Sequence, residues 1–322
     1  MAFQKIGILS IGEMGFHWAK LLKSQGVEVL TYDKDRGEVS RKRGENAGVK
    51  SLPSMSRLVK ETELIVSGDR HLLGLGVEAV VRDSMPYIVV PSAAKRVAAK
   101  VAKAVAKTGR KELLYLDANA ISPMTADAIA AVLNPAGVSF VDGCIIGSAA
   151  RMGKGTIVYV SGPQAQSMHA LAEFGIPIRV LGPNTSQASA FKVVYAGLTK
   201  GLQGLFVELL MGARRFGLLN EVRAQYEESF PGLLDKISTS IVGLRIHAAR
   251  RAEEMDELKR TFNHHGMKSF MAPAAQKVLE AIAALGAGEA SESGARQGDL
   301  PETLELFYEK GLLRTATAEK TS

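Results

Sequence analysis

The sequence predicts an α/β fold class: a doubly wound, mostly parallel sheet in the first half and an all-helical domain in the second. The first half opens with a strand, a glycine-rich turn, a helix and a second strand, and strand and helix patterns keep alternating after it. After Pro183 the strand signals stop, and helical periodicity continues to Leu285. Alternating elements are typical of a parallel sheet, whereas a run of helices indicates a separate domain.

Each element follows from its own pattern. The opening unit has apolar strands at residues 5–9 and 27–32, a turn at 10–15 and a helix at 16–24. Later strands are expected at 63–67, 113–116, 139–141 and 156–161, with helices at 95–107 and 123–133 between them. A long apolar helix, residues 186–216, then begins the helical part.

Length and composition fit two folded domains. The chain has 322 residues, of which 46% are hydrophobic and 23% charged, so it can build large apolar cores. We expect an α/β domain at 1–183, a helical domain at 184–286, and a tail at 287–322. The tail starts with a polar, low-complexity stretch, which predicts poor order around one short helix.

Charge and cysteine content narrow the function classes. The formal net charge of +7 suits an anionic partner, but no basic stretch is interleaved with aromatic residues, so no nucleic acid partner is expected. One cysteine, Cys144, excludes an internal disulfide and a thiolate metal site, and no metal is expected. The apolar stretch from 188 to 213 is interrupted by charges, so we expect no membrane span and a cytoplasmic protein.

The turn after the first strand has glycines where a Rossmann dinucleotide fold needs them. Gly12 allows close approach of a pyrophosphate, and Gly15 allows the helix to pack on the strand. Ser10 replaces the first glycine of G-x-G-x-x-G. The start of the helix, with Glu13 and Met14, supplies free N–H groups and positive potential to phosphates.

An acidic residue follows the second strand at the distance this fold requires. Asp33 lies about twenty residues after the glycines, where a carboxylate binds the adenosine ribose hydroxyls and favours NAD. The basic residues Lys34 and Arg36 come directly after it and suit a 2′-phosphate. The expected cofactor is therefore NADP or NAD.

Four segments in this order resemble the β-hydroxyacid dehydrogenase and 6-phosphogluconate dehydrogenase-like superfamily, in the branch whose carboxy-terminal domain has no assigned function. The first is the glycine turn. The others are D-A-N-A-I-S-P at 117–123, D-G-C-I-I-G-S at 142–148 and F-K-V-V-Y-A at 191–196. They are similar to a cofactor-contacting strand end, the substrate loop D-A-P-V-S-G-G and the catalytic K-x-x-N-N of that superfamily.

The resemblance implies roles for individual residues. Asn119 is implied as a cofactor ligand and Ser122 as a substrate ligand, although Ser122-Pro123 is also a typical helix start. In the substrate loop the implied ligands are Ile146, which replaces a serine of the superfamily, and the Gly147 and Ser148 backbone N–H groups, which suit an anion.

The resemblance and the sequence pattern together single out Lys192. In the helix from Ser186 the polar residues Ser189, Lys192, Thr199, Lys200 and Gln203 share one stripe, with Tyr195 at its edge. We expect this stripe to face a cleft between the domains and the rest of the helix to be buried. Desolvation there would lower the pKa of Lys192 toward neutrality and make it a general acid or base. Tyr195 is a candidate for the proton relay, and Thr199 for substrate binding.

Residues 68–87 have no counterpart in the superfamily. Without them, residues 64–67 join 88–91 in one buried strand that ends in Val90-Pro91, which the resemblance implies as nicotinamide contacts. We interpret the segment as an atypical insertion or as a gene-model error.

These observations predict an NAD(P)-dependent dehydrogenase or reductase acting on a small polar hydroxy or carbonyl compound. The alternatives are an imine reductase and a catalytically silent, dinucleotide-binding redox sensor. Glycines 197, 201, 204 and 212 of the long helix suggest close helix packing, and the resemblance implies a homodimer.

Overall fold

The computed structural model describes residues 3–9, 11–34, 36–68, 91–286 and 298–314. The chain divides into two compact units, residues 1–192 and 193–322. Most of the atypical segment 68–87 lies outside the described residues, as do Ser10 and Val90.

The first unit is built on an eight-stranded sheet. Its strands are β1 (Lys5–Ile8), β2 (Glu28–Thr31), β3 (Lys50–Ser51), β4 (Leu64–Ser67), β5 (Leu113–Asp117), β6 (Val138–Ile146), β7 (Ile157–Ser161) and β8 (Ile178–Gly182). Their order is β3-β2-β1-β4-β5-β6-β7-β8, and each described neighbouring pair is parallel except β6 and β7. The predicted doubly wound sheet is confirmed.

Helices cover both faces of this sheet, as the alternation along β4 illustrates. Leu64 and Val66 belong to one hydrophobic cluster, and Ile65 between them belongs to the other. A parallel strand covered on both faces is apolar at every position. The covering helices are α1 (Glu13–Ser24), α2 (Glu38–Asn46), α3 (Met55–Glu61), α4 (Pro91–Thr108) and α5 (Pro123–Leu133), with 3₁₀ turns at Asn134–Ala136, Ala149–Arg151 and Ala165–Phe174.

Several predicted boundaries need correction. Helix α1 begins at Glu13, so the last three residues of the predicted turn are helical. Strand β6 runs to Ile146, five residues beyond its predicted end at Val141. The resemblance placed residues 142–148 in a substrate loop, but 142–146 belong to this strand; a Cβ on Gly143 would lie 2.7 Å from a Leu116 side-chain carbon, so the glycine lets two strands pack closely.

The second unit is helical, as predicted. Helix α6 (Gln187–Arg215) begins in the first unit, and α7 (Leu219–Ser229), α8 (Leu233–Val242), α9 (Leu244–His264), α10 (Met271–Ala284) and α11 (Leu300–Glu309) follow it. They share one apolar core. A Cβ on Gly197 would overlap the Leu258 side chain, and one on Gly204 would crowd Ala275, so these two glycines allow close packing of α6 inside the unit.

The tail was expected to contain one short helix in a poorly ordered stretch. That helix is present as α11, which buries Leu304 and Phe307 completely in the core of the second unit, while residues 287–297 and 315–322 lie outside the described residues. One expectation about a helix was wrong. Helix α6 was expected to be buried nearly all round, yet Val194 and Leu198 are more than half exposed. Among the described helices, α6 alone is long and apolar enough to cross a membrane. One such helix is only weak evidence for a membrane span.

Candidate active site

A narrow crevice, with a cavity volume of about 10 Å³, lies at the carboxyl ends of the central strands. Ile8 of β1, Val66 of β4 and Ile145 of β6 contribute to its wall. The other lining residues are Gly68 and Ala118, after β4 and β5, and Met14, Gly15 and Trp18 of α1. In doubly wound sheets this end of the strands is the place where ligands bind.

The amino terminus of α1 lies at this crevice and has no side-chain cap. Gly12 is the N-cap residue, in an extended conformation and without a side-chain hydrogen bond to the first turn. The first-turn N–H groups of a helix have no partners within it and attract anions. Gly12 and Gly15 are buried, Met14 is half-buried and Glu13 is exposed.

The predicted ribose-binding residues lie together beyond β2. The Asp33 carboxylate accepts a hydrogen bond from the hydroxyl of Ser51, at the end of β3. The Arg36 side chain turns back, and its Nη2 donates to the Leu9 carbonyl oxygen at 3.0 Å. Lys34 is exposed. The Asp33 carboxylate is therefore hydrogen-bonded within the protein, the Arg36 side chain binds a backbone carbonyl, and the Lys34 side chain faces solvent.

Asn119 is held by a buried polar network at the end of β5. Its Nδ2 donates to Asp117 Oδ1 at 2.9 Å and to Ser67 Oγ at 3.1 Å, and its backbone N donates to the same Asp117 oxygen. Asp117 is completely buried, and its Oδ2 has no hydrogen-bond partner among the described residues. Burial raises the pKa of Asp117 from 3.8 to about 7, and the nearby Asp142 adds to the rise.

Asp142 binds the first turn of α6. It pairs in register with Asp117 of β5 and is also fully buried. Its Oδ2 accepts from the Ser189 backbone N and its Oδ1 from the Ser189 hydroxyl, both at 2.7 Å. Burial raises the pKa of Asp142 to about 6, against the opposing effect of these hydrogen bonds.

Lys192 lies one turn further along α6. Its Nζ donates to the backbone carbonyl oxygen of Ile145 at 2.6 Å, and the side chain is partly buried. The carbonyl belongs to Ile145, one of the residues that line the crevice. The neighbouring Cys144 is buried, which raises the pKa of its thiol to about 12, so this thiol does not act as a nucleophile near neutral pH.

The substrate loop predicted at 146–148 follows directly. Ile146 is half-buried, while Gly147 and Ser148 are exposed. Gly147 has a φ of +131°, and the Thr156 hydroxyl donates to the Ser148 carbonyl oxygen at 2.6 Å. Ser122 caps α5, since its Oγ accepts from Thr125 N at 3.3 Å, as its sequence context predicts.

The remaining predicted residues belong to the second unit or to α4. Tyr195 is 46% exposed, and the Thr199 hydroxyl donates to the Ala196 carbonyl oxygen of its own helix. Pro91 begins α4. Among the described residues no group of three or more His, Cys, Asp or Glu side chains is arranged to hold a metal ion.

The polar stripe of α6 meets protein partners along its length. Within the second unit, Lys200 Nζ forms an ion pair with Glu254 at 2.7 Å. Gln203 is buried, and its Oε1 accepts from Arg251 at 2.9 Å. In the first unit the partners are Asp142 and the Ile145 carbonyl, as described above.

Sequence reasoning missed Asp117 and Asp142 as functional candidates. Each was noted only as the first residue of a motif, without a role of its own. A signal was present, because an aspartate at the end of an apolar strand inside a large sheet needs buried donors. Their partners lie as far as 47 residues away along the chain and have no local pattern.

Comparisons with known proteins agree with this geometry. A family model described as the NAD binding domain of 6-phosphogluconate dehydrogenase matches residues 5–174, more than half of the chain. The chain belongs to this family. Within this 6-phosphogluconate dehydrogenase-like chain, residues 213–282 match a domain of unknown function, DUF1932. The family binds NAD, and the resemblance seen in the sequence is confirmed.

Relatives of this 6-phosphogluconate dehydrogenase-like protein extend over nearly the whole chain. A protein of Methanothermus fervidus, named an uncharacterized 28.5 kDa protein in the 7S RNA 5′ region, is 29% identical over 279 residues, covering 86% of this chain and 98% of that protein. The structure of MTH1747, a conserved protein of unknown function described as similar to 3-hydroxyacid dehydrogenases, matches with a TM-score of 0.70 and 25% identity. It covers 88% of this chain and 99% of that one.

One solved enzyme has the same fold at lower identity. The 3-hydroxyisobutyrate dehydrogenase of Mycobacterium tuberculosis, solved with L-serine, has a TM-score of 0.70 and 16% identity, covering 95% of this chain and 99% of that one. At this identity the likeness concerns the fold alone.

Proposed function

We propose that this protein is an NAD(P)-dependent dehydrogenase or reductase of small polar hydroxy or carbonyl compounds, in which Lys192 is the general acid or base. The observation that carries the proposal is the hydrogen bond from Lys192 Nζ to the Ile145 carbonyl oxygen. Ile145 lines the crevice at the carboxyl ends of the strands, so the amine is anchored to the wall of the expected cofactor site.

The residues present fit a dinucleotide. The uncapped amino terminus of α1 and the buried Gly15 suit a pyrophosphate, and the Asp33 carboxylate suits ribose hydroxyls. Asn119 Nδ2 donates to Asp117 and Ser67, which orients its amide next in sequence to Ala118, a residue that lines the crevice. A bound nicotinamide supplies the hydride donor or acceptor for the reaction.

Lys192 supplies the proton chemistry in this proposal. When a carbonyl is reduced its oxygen gains a proton, and when a hydroxyl is oxidised the oxygen loses one. The Lys192 amine donates or accepts that proton at the substrate oxygen. The hydrogen bond to the Ile145 carbonyl oxygen holds this amine beside the crevice.

The substrate side of the proposal rests on the loop after β6. The exposed Gly147 and Ser148 follow Ile146 directly, and both carry backbone N–H groups of the kind that suit an oxyanion or a carbonyl oxygen. The half-buried Ile146 supplies an apolar contact in place of a polar one. These features favour a small substrate with one polar group and an adjacent apolar carbon.

Cofactor binding can be measured through Trp18. It is the single tryptophan of the chain, and it lines the crevice. We expect NADH or NADPH to quench its fluorescence and to show sensitised emission, because the reduced nicotinamide absorbs where tryptophan emits. A saturable signal gives the dissociation constants for both dinucleotides. The absence of any saturable signal with either of them would reject the cofactor site.

Turnover tests the role of Lys192. A panel of hydroxy acids, carbonyl compounds and imines is assayed with both dinucleotides, and the best substrate is used for variants. Lys192→Ala is expected to lower kcat about 10²- to 10⁴-fold, the usual contribution of a general acid or base, with Trp18 quenching unchanged. Lys107→Ala, an exposed lysine of α4, is the matched control. Unchanged turnover in Lys192→Ala removes the mechanism, and binding without turnover favours a redox sensor.

We also propose that a second copy of the chain covers the exposed face of α6. Val194, Leu198, Leu205 and Leu209 are 54%, 64%, 41% and 44% exposed and recur at helical spacing. Glycines 201 and 212 lie on the same face, with open space where a Cβ would be. Apolar side chains of one copy can occupy the space above the glycines of the other, as in a two-fold symmetric dimer.

A further inference from the structure

Strand β6 contacts the first turns of α6 at two points. Asp142 accepts two hydrogen bonds from Ser189, and three residues later the Ile145 carbonyl oxygen accepts one from Lys192, which is three residues after Ser189. One side-chain acceptor and one backbone acceptor on a single strand therefore fix two successive turns of the helix.

The contact between Asp142 and Ser189 is fully buried, and both carboxylate oxygens accept hydrogen bonds in it. Asp142 and Ser189 are each at most 1% exposed, and both carboxylate oxygens accept from Ser189 at 2.7 Å. Ser161, on the neighbouring strand β7, extends the contact, because its hydroxyl lies 3.5 Å from Asp142 Oδ2 and accepts from Ala188 N at 2.9 Å. The backbone N–H groups of Ala188 and Ser189, in the first turn of α6, therefore donate to the side chains of Ser161 and Asp142.

A carboxylate suits this place for two reasons. It accepts hydrogen bonds at both oxygens and donates none, so it matches the backbone N–H and the hydroxyl of Ser189 together. Its negative charge also lies at the amino terminus of a 29-residue helix, where the helix dipole favours an anion.

We propose that Asp142 is a positioning residue that holds Lys192 Nζ against the Ile145 carbonyl oxygen at the crevice, an inference that rests on the proposed role of Lys192. The Lys192 hydrogen bond has a length of 2.6 Å and would be lost with a displacement of about 1 Å. A shift of that size at the start of α6 moves the amine away from the crevice wall. Misplacement of a reacting group by about 1 Å costs on the order of 10²-fold in rate.

The test compares two variants at Asp142 contacts with one matched control. Asp142→Asn keeps the shape but replaces one acceptor oxygen by an amide N–H₂ and removes the negative charge at the start of α6, and Ser189→Ala keeps the backbone N–H and removes only the hydroxyl. Thr62→Val serves as control. It removes a buried side-chain hydrogen bond, from Thr62 Oγ1 to the Leu58 carbonyl oxygen, at a place away from β6 and α6.

The kinetic readout separates positioning from general destabilisation. We expect Asp142→Asn to lower kcat about 10- to 100-fold and Ser189→Ala to lower it less, while Trp18 quenching gives an unchanged dissociation constant for the dinucleotide. Thr62→Val should lower the melting temperature and leave kcat unchanged. Equal losses of kcat in Asp142→Asn and Thr62→Val would overturn the proposal.

A second readout does not depend on activity. Lysines are reductively methylated with ¹³C-formaldehyde, and the Lys192 resonance is assigned by its absence in Lys192→Arg. We expect a distinct resonance in the wild type that moves to the position of exposed lysines in Asp142→Asn but not in Thr62→Val. A resonance that stays in place in Asp142→Asn rejects the positioning role, even if no substrate is turned over. Absent turnover with a moved resonance rejects the proposed function alone.

Discussion

Ser189 donates both its backbone N–H and its hydroxyl to the buried carboxylate of Asp142, each at 2.7 Å. The two residues are 47 positions apart in the sequence. The contact joins the end of the sheet to the start of the helix that carries Lys192. Four predictions follow for the residues around this contact and for the rest of the proposed function.

The first prediction concerns the pH dependence of stability through Asp117. Its pKa is about 7 in the folded chain and 3.8 as the ordinary value, so the folded state binds this proton more tightly. The free energy of unfolding therefore falls as the pH rises between about 4 and about 7, by on the order of 4 kcal/mol from this group. Denaturant titrations of the wild type and Asp117→Asn across that range measure the difference. A difference that does not change with pH would contradict the prediction.

The second prediction concerns the choice of dinucleotide. Asp33→Ala removes the carboxylate expected to bind the ribose hydroxyls, and we expect NADH affinity to fall about 10-fold, as for the loss of one charged hydrogen bond. NADPH affinity should rise or stay the same, because repulsion from the 2′-phosphate is removed. Lys34→Ala is the paired variant, expected to weaken NADPH only. Trp18 quenching gives all four constants, and equal losses for both dinucleotides in Asp33→Ala would argue against the assignment.

The third prediction concerns the loop after β6. Gly147 has a φ of +131°, and a Cβ there would lie 2.5 Å from the Thr156 hydroxyl oxygen and 2.8 Å from its Cα. Gly147→Ala is expected to cost about 1 to 3 kcal/mol and to displace the loop. Turnover should fall while Trp18 quenching is retained, because the α1 end of the crevice is unchanged. If Gly147→Ala retained the wild-type kcat, the loop after β6 would have no role in substrate binding.

The fourth prediction concerns the exposed face of α6. Leu198→Glu combined with Leu205→Glu places two charges in the proposed contact, and we expect a dimer to become a monomer in light scattering after gel filtration. Val132→Glu, an exposed apolar residue of α5, is the matched control and should leave the assembly state unchanged. A wild-type chain that is monomeric at all concentrations would reject the dimer.

Local patterns were enough for much of the fold. The capped start of α5 at Ser122 and the length of α6 follow from signals within one or two turns of chain, and the structure has both of them. The short β3 and the half-exposed β8 were not predicted, because two residues make no alternation and β8 alternates weakly. Such strands are defined by neighbours that the local sequence does not identify.

The site was predicted less completely than the fold. Lys192 was predicted from the resemblance to the catalytic K-x-x-N-N motif and from its place in a polar stripe on an apolar helix, and its role stays a prediction. The partners on β6 were not found, because a carbonyl acceptor such as that of Ile145 leaves no mark in a sequence. The packing of Phe307 in the second core was missed for the same reason, since the apolar surface that covers it comes from distant helices.

The Lys192 amine is held by an oxygen of the main chain, which every amino acid possesses. Substitution of Ile145 can therefore change the size or polarity of the crevice wall, while the backbone acceptor for Lys192 Nζ is retained. Directed evolution toward new substrates can therefore begin at position 145, because the side chain there can vary without removing the hydrogen bond to Lys192.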